Sequence, residues 1–255
     1  MPFRTGQRLA ALRRLIRVSA AAAILAAAPP APASTIGINF LGKCYFSPPE
    51  SLLEPADLAG AVPQTHWNNA AASTGSLAAL TDDAGSPSAA SASWRGNPGY
   101  TGADTATPDG RLMRGFLSSW TDTDPTVTVS GLAALFPAGY DVLAYFDSHN
   151  GGAAPQTLET DFTIGPDLLT GRDLAGVQFS GAFVEDTGAG GNYVRFRGLT
   201  ADTFSLVARA RSGTGDVPTL NAIQVIHTPE PAALALLAPA FAALAARRRR
   251  IPKSP

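Results

Sequence analysis

The sequence predicts an all-β fold, arranged as a β-sandwich. Three observations point there. Short apolar/polar alternations recur at intervals of roughly 8–15 residues between clusters of Gly, Pro, Asp and Ser. The chain carries 25 glycines and 21 prolines, the punctuation of a loop-rich β protein. Candidates for the helical crossovers that a parallel α/β sheet needs are few.

The elements follow in chain order. Ile36, Ile38 and Phe40 alternate and predict a first strand. Leu52 to Ala61 reads as short helical turns. Ser73 to Asp109 is the loosest stretch, rich in Ala, Ser, Gly, Thr and Asp, with one strand expected around Ser91 to Trp94. Val127 and Val129 alternate within Thr126 to Ser130, a further strand. Tyr140 to Phe146 and Thr157 to Ile164 are expected to form a hairpin, with Asn150-Gly151 as its turn. Leu168 to Leu174 reads as a second helical turn. Asn192 to Phe196, Thr203 to Ala208 and Leu220 to Ile226 complete the strands.

The two ends have a different composition. Arg4, Arg8, Arg13, Arg14 and Arg17 precede an apolar run from Val18 to Ala28, and Ala31-Pro32-Ala33 offers a small-x-small cleavage site. That is the order of a signal peptide over residues 1–33, read by export machinery and signal peptidase. At the other end, Pro229-Glu230-Pro231 is followed by an apolar run from Ala232 to Ala246 and then Arg247, Arg248, Arg249 and Arg250. The run would rise roughly 22 Å as a helix, against the roughly 30 Å of a bilayer core, and Pro239 interrupts it. The arginines hold its tail on the cytoplasmic side, because charge is costly in hydrocarbon. Such a span suits a temporary stop better than a permanent anchor.

This C-terminal order over residues 228–255 resembles the PEP-CTERM sorting signal of exported bacterial proteins. The resemblance implies that a membrane transpeptidase, exosortase, recognises Pro229, Glu230 and Pro231. It further implies transient inner-membrane anchoring, then display at the cell surface or release, in association with exopolysaccharide or biofilm matrix. Ile36 to Phe40, Gly60 to Asn69 and Asn221-Ala222-Ile223-Gln224-Val225 together resemble a recurring exported domain that precedes this signal. The last of these also resembles the closing strand of jelly-roll, galactose-binding-like and malectin-like modules, so the domain over residues 34–227 is expected to be a sandwich of that type.

Charge narrows the partners. Between residues 34 and 228 lie nine Lys and Arg against 19 Asp and Glu, a net charge near −10. Such a surface repels phosphate, so nucleic acid is excluded as a partner. Cys44 is the single cysteine, so no internal disulfide forms, and stability rests on an ordinary core.

Candidate sites are sparse. Gln64, Trp67, Asn68 and Asn69 form the densest polar and aromatic cluster, where an indole could stack on a sugar and amides bond its hydroxyls; a Trp packed in the core is the alternative. Trp94 and Trp120 carry the same two readings. Asp147 and His149 stand two apart, in reach of acid–base or metal chemistry, but the Asn-Gly beside them favours a turn. Asp82-Asp83, Asp122, Asp124 and Glu185-Asp186 make calcium the one candidate cofactor, although none has the spacing of a calcium loop. No Gly-x-Ser-x-Gly element, phosphate loop or zinc pattern occurs. The expectation is a non-enzymatic exported protein, with a carbohydrate-binding module as alternative and a secreted glycan hydrolase behind it.

Overall fold

The computed structural model describes residues 34–42, 50–119, 123–148, 156–211 and 217–228. The expected signal peptide, the sorting signal, Cys44, Trp120, Asp122 and His149 to Gly152 lie outside them. The described chain is all-β, with one five-residue helix, and none of its helices is long and apolar enough to cross a membrane.

Five strands build the first sheet: β1 (Ile36–Phe40), β2 (Asn68–Ala70), β8 (Tyr140–Tyr145), β11 (Tyr193–Leu199) and β13 (Ala222–His227). Their order is β11-β8-β13-β1-β2, antiparallel except for β1 with β2. Six strands build the second: β3 (Thr74–Leu77), β4 (Ser91–Arg95), β7 (Thr126–Ser130), β9 (Leu158–Ile164), β10 (Asp167–Asp173) and β12 (Thr203–Ala210). Their order is β10-β9-β12-β7-β4-β3. A small ribbon of β5 (Asn97–Tyr100) and β6 (Gly115–Ser118) brackets the helix α1 (Pro108–Leu112). Thr107 caps that helix, its Oγ1 accepting from Gly110 N at 3.1 Å.

The two sheets face each other across one core. Ile36, Ile38, Phe40, Val142, Ala144, Ile223 and Val225 come from the first; Val127, Val129, Phe162, Phe204 and Leu206 come from the second. Three aromatic pairs cross the gap at 5.6–6.3 Å: Phe40 with Trp94, Tyr140 with Phe204, and Phe146 with Phe162. Alternation places every second residue of each strand in this core.

The first sheet is covered on its other face as well. Leu53, Ala59 and Trp67 from the segment after Glu50, with Leu112 from α1 and Met113 just beyond it, pack on Leu143, Tyr145, Ala222 and Ile226. This is why β1 and β8 are buried along their whole lengths.

Several expectations are corrected. Tyr140–Tyr145 and Leu158–Ile164 are not a hairpin: β8 pairs with β11 and β13, and β9 with β10 and β12, so the chain changes sheet between them. The hairpin lies one connection later, where Gly165-Pro166 joins β9 to β10 and Ile164 faces Asp167. Gly165 has φ +57°, as a tight hairpin turn with Gly in its first central position requires. Leu168 to Leu174, read as helical, is therefore mostly strand β10. Leu52 to Ala61 holds turns without a helix, broken by Pro55 and Gly60 and closed by an antiparallel bridge from Ala59 to Gln64. Ser73 to Asp109 yields three strands where one was expected. His227 ends β13 opposite Tyr140, and its ring meets that of Phe136 at 4.8 Å in a tilted arrangement.

Candidate functional site

The residues expected to meet a sugar are turned inward. Trp67 is 5 % exposed and Gln64 2 %. The indole donates from Nε1 to Ala59 O at 3.3 Å and Gln64 O at 3.2 Å, and its ring meets Tyr145 edge-on at 6.3 Å. It lies so close on β1 that a Cβ at Gly37 would stand 2.4 Å from its Cε3. Asn68 donates to Gly37 O and Thr81 O and accepts from Thr81 N. Asn69 accepts from Asn39 Nδ2 and Leu53 N and donates to Leu53 O. Gln64 Oε1 accepts from Gln224 Nε2 at 2.8 Å.

These amides sew the covering segment onto the sheet. Gln64 and Trp67 are thereby closed to solvent, while Asn68 and Asn69 are half-buried with their amides engaged in the fold. Trp94 is likewise core, 6 % exposed with Nε1 donating to Ala72 O.

The calcium candidates among the described residues are also engaged within the fold. Asp82 Oδ1 accepts from Ala84 N and Ser86 N, closing a turn. Asp83 accepts from Thr35 N. Asp124 pairs with Arg209, and Glu185 with Arg197. Asp186 accepts from the backbone N–H groups of Arg172, Gly188 and Gly190. Among the described residues no three His, Cys, Asp or Glu side chains gather as a metal site.

A different place has the makings of a binding site. Just beyond β8 the chain runs Phe146-Asp147-Ser148, and at the end of β10 stands Asp173, so the ends of two sheets bring two carboxylates to one cleft. Asp147 is 3 % exposed and Asp173 5 %. Ser148 binds Asp173 twice, through its backbone N–H at 2.8 Å and through its hydroxyl. Asp147 accepts from Phe179 N at 3.4 Å, and its own N–H donates to Asn221 Oδ1 at 2.7 Å. The cleft has a volume of about 230 Å³, and Leu174, Val177, Phe179 and Val184 supply hydrocarbon walls.

The electrostatics of this pair are unusual. Burial, reinforced by the negative charge of Asp173, lifts the Asp147 carboxyl to about 8. At neutral pH Asp147 is therefore largely an uncharged hydrogen-bond donor beside an acceptor. A carboxyl shifted by burial and by one charged neighbour in a cleft is a mark of functional sites.

Only half of this pair drew notice in the sequence. Asp147 stood out for its neighbour His149, whereas Asp173 lay in a segment read as helical, and no spacing links residues on different sheets. Comparison with known proteins gives no match to a family model, a curated protein or a solved structure, and the site is read from its own geometry.

Proposed function

We propose that this chain is an exported, non-enzymatic β-sandwich protein of the cell surface or extracellular matrix, sorted by exosortase and associated with exopolysaccharide. The observation that carries the reading is the sequence of the C-terminal segment: Pro229-Glu230-Pro231, then the apolar run, then Arg247 to Arg250. Where the fold ends is compatible with processing there. The last strand stops at His227. Thr228 is tied back by its N–H to Gly139 O at 3.3 Å and by its hydroxyl to Asp141 Oδ1 at 2.9 Å. A cut beyond Thr228 removes no described strand.

A jelly-roll or galactose-binding-like topology is the finer form of this proposal. It is supported by the pairing of β1 with β13 and by the crossings of the chain between sheets from β7 to β9 and from β10 to β13. A carbohydrate-binding role would need a surface other than the Trp67 cluster.

The test is Glu230→Ala in a cell that carries the sorting enzyme, with a C-terminal tag followed by immunoblot. Export should persist while the tag stays attached and the precursor collects in the inner membrane. Loss of the tag at the normal rate would overturn the proposal.

A further inference from the structure

Thr35, immediately before β1, stands beside a carboxylate that no cation of the described fold neutralises. Its N–H donates to Asp83 Oδ1 at 3.1 Å, and its carbonyl accepts from Asp83 N at 3.0 Å. Among the described residues Thr35 N is the one donor to that carboxylate, and none of the ion pairs there includes it. Thr35 is 8 % exposed, yet its Oγ1 has no hydrogen-bond partner. A buried hydroxyl left unpaired is costly, and so is a half-buried carboxylate without a cation.

One residue earlier comes Ser34, the first residue after the expected signal-peptide cleavage. Hydrolysis of the Ala33–Ser34 peptide bond leaves a carboxylate on Ala33 and an amine on Ser34, which takes up a proton at neutral pH. We propose that Asp83 and the Thr35 hydroxyl form a receiving site for that ammonium, the amino terminus of the exported chain. The proposal rests on the export reading and adds a step to it: removing the signal peptide completes the fold.

The reach is short. Consecutive backbone nitrogens stand at most about 3.7 Å apart, so the amine lies within about 7 Å of Asp83 Oδ1. Rotation about the Cα–C bond of Ser34, with no chain ahead to restrain it, swings the amine closer. An ammonium has three donors, enough for the carboxylate and for Thr35 Oγ1. Before cleavage the same nitrogen is a peptide N–H, uncharged and with a single donor.

The neighbouring titratable groups are engaged elsewhere. Asp82 Oδ1 accepts from Ala84 N and Ser86 N. His66 Nδ1 lies 2.9 Å from Thr65 Oγ1 and 3.1 Å from Asp83 O. On the opposite side, extending the register of β1 with β13 brings Ser34 across from His227, whose ring meets Phe136. Asp141 is paired with Arg195 at 2.6 Å and holds Thr228. Asp83 is the carboxylate left for the terminus. Pairing makes the ammonium a weaker acid in the folded chain than in the unfolded one. Its stabilisation is therefore complete below the unfolded value of about 7.7–8.0 and is lost as pH rises through the higher folded value.

The test uses the exported, processed protein. Intact mass should place its first residue at Ser34. Acetylation of that amine by acetic anhydride, followed by mass spectrometry against pH, should be half-maximal about one pH unit higher in wild type than in Asp83→Asn. Asp83→Asn keeps the oxygen that accepts from Thr35 N, so the fold is retained. Thr35→Val, close in shape, should narrow that difference. Acetylated wild type should melt about 2–4 °C below the free-amine form, a gap absent in Asp83→Asn. An exported chain beginning at any other residue would overturn the proposal and leave the export reading standing. A chain that keeps Met1 inside the cell would overturn both. With Ser34 first, equal acetylation profiles in wild type and Asp83→Asn would overturn the docking alone.

Discussion

The hydroxyl of Tyr145 donates to Oε1 of Gln224 at 2.6 Å, and neither side chain reaches solvent. The Tyr145 hydroxyl oxygen accepts from Ala61 N at 2.9 Å, while Gln224 Nε2 donates to Val62 O and Gln64 Oε1. Two central strands, β8 and β13, thereby reach the covering segment through one polar chain. Burial raises the Tyr145 phenol, which stays protonated and able to donate. Tyr145→Phe strands Ala61 N and Gln224 Oε1 without a partner, and should cost about 1–3 kcal/mol in a urea unfolding experiment. A loss within error would mean that water replaces the hydroxyl.

Trp67→Ala tests the inward placement of the expected sugar residue. Removing a buried indole seated against Gly37 should cost about 3–5 kcal/mol of stability. Thermal and denaturant midpoints read it directly. A variant that melts like the wild type but loses glycan binding would return Trp67 to the surface.

The pH dependence of stability has a definite sign. Asp147 binds its proton more tightly when folded, releasing it only near pH 8, whereas the unfolded chain releases it near 3.8. Its contribution is complete below about pH 4 and is lost as pH rises toward 8. The slope approaches about 1.4 kcal/mol per pH unit in the middle of that window. Asp147→Asn should flatten the curve of unfolding midpoint against pH between 5 and 7. An unchanged slope would place the titration elsewhere.

The turn between β9 and β10 offers a backbone test. Gly165 at φ +57° admits a side chain sterically, since nothing stands within 4 Å of a Cβ there, but the left-handed backbone resists one. Gly165→Ala should cost about 1 kcal/mol through backbone strain alone. Gly165→Asn, which tolerates that region better, should recover part of it.

Where apolar residues alternated into the core between the sheets, the sequence was readable. Thr126–Ser130 and Ile36–Phe40 occupy the predicted positions because Val127, Val129, Ile36, Ile38 and Phe40 point into the core between the sheets. Pairing was not readable, because an Asn-Gly between two apolar runs signals a turn without saying in which sheet the second strand lands. The Leu168–Leu174 segment lacked alternation because β10 is an edge strand with an exposed Leu168. The cluster from Gln64 to Asn69 was misleading for a related reason. Amides that fasten a cover onto a sheet have the composition of a sugar site, and only burial separates the two.

The place of β13 governs the order in which the molecule can be completed. It lies between β1 and β8, so the earliest strand waits for the latest. A chain made from its N-terminus holds Ile36, Ile38 and Phe40 without that neighbour until Ile223 and Val225 have been synthesised. Closure therefore comes late and over a long separation in sequence, which makes folding slow. β13, the last of the described strands, acts as the latch.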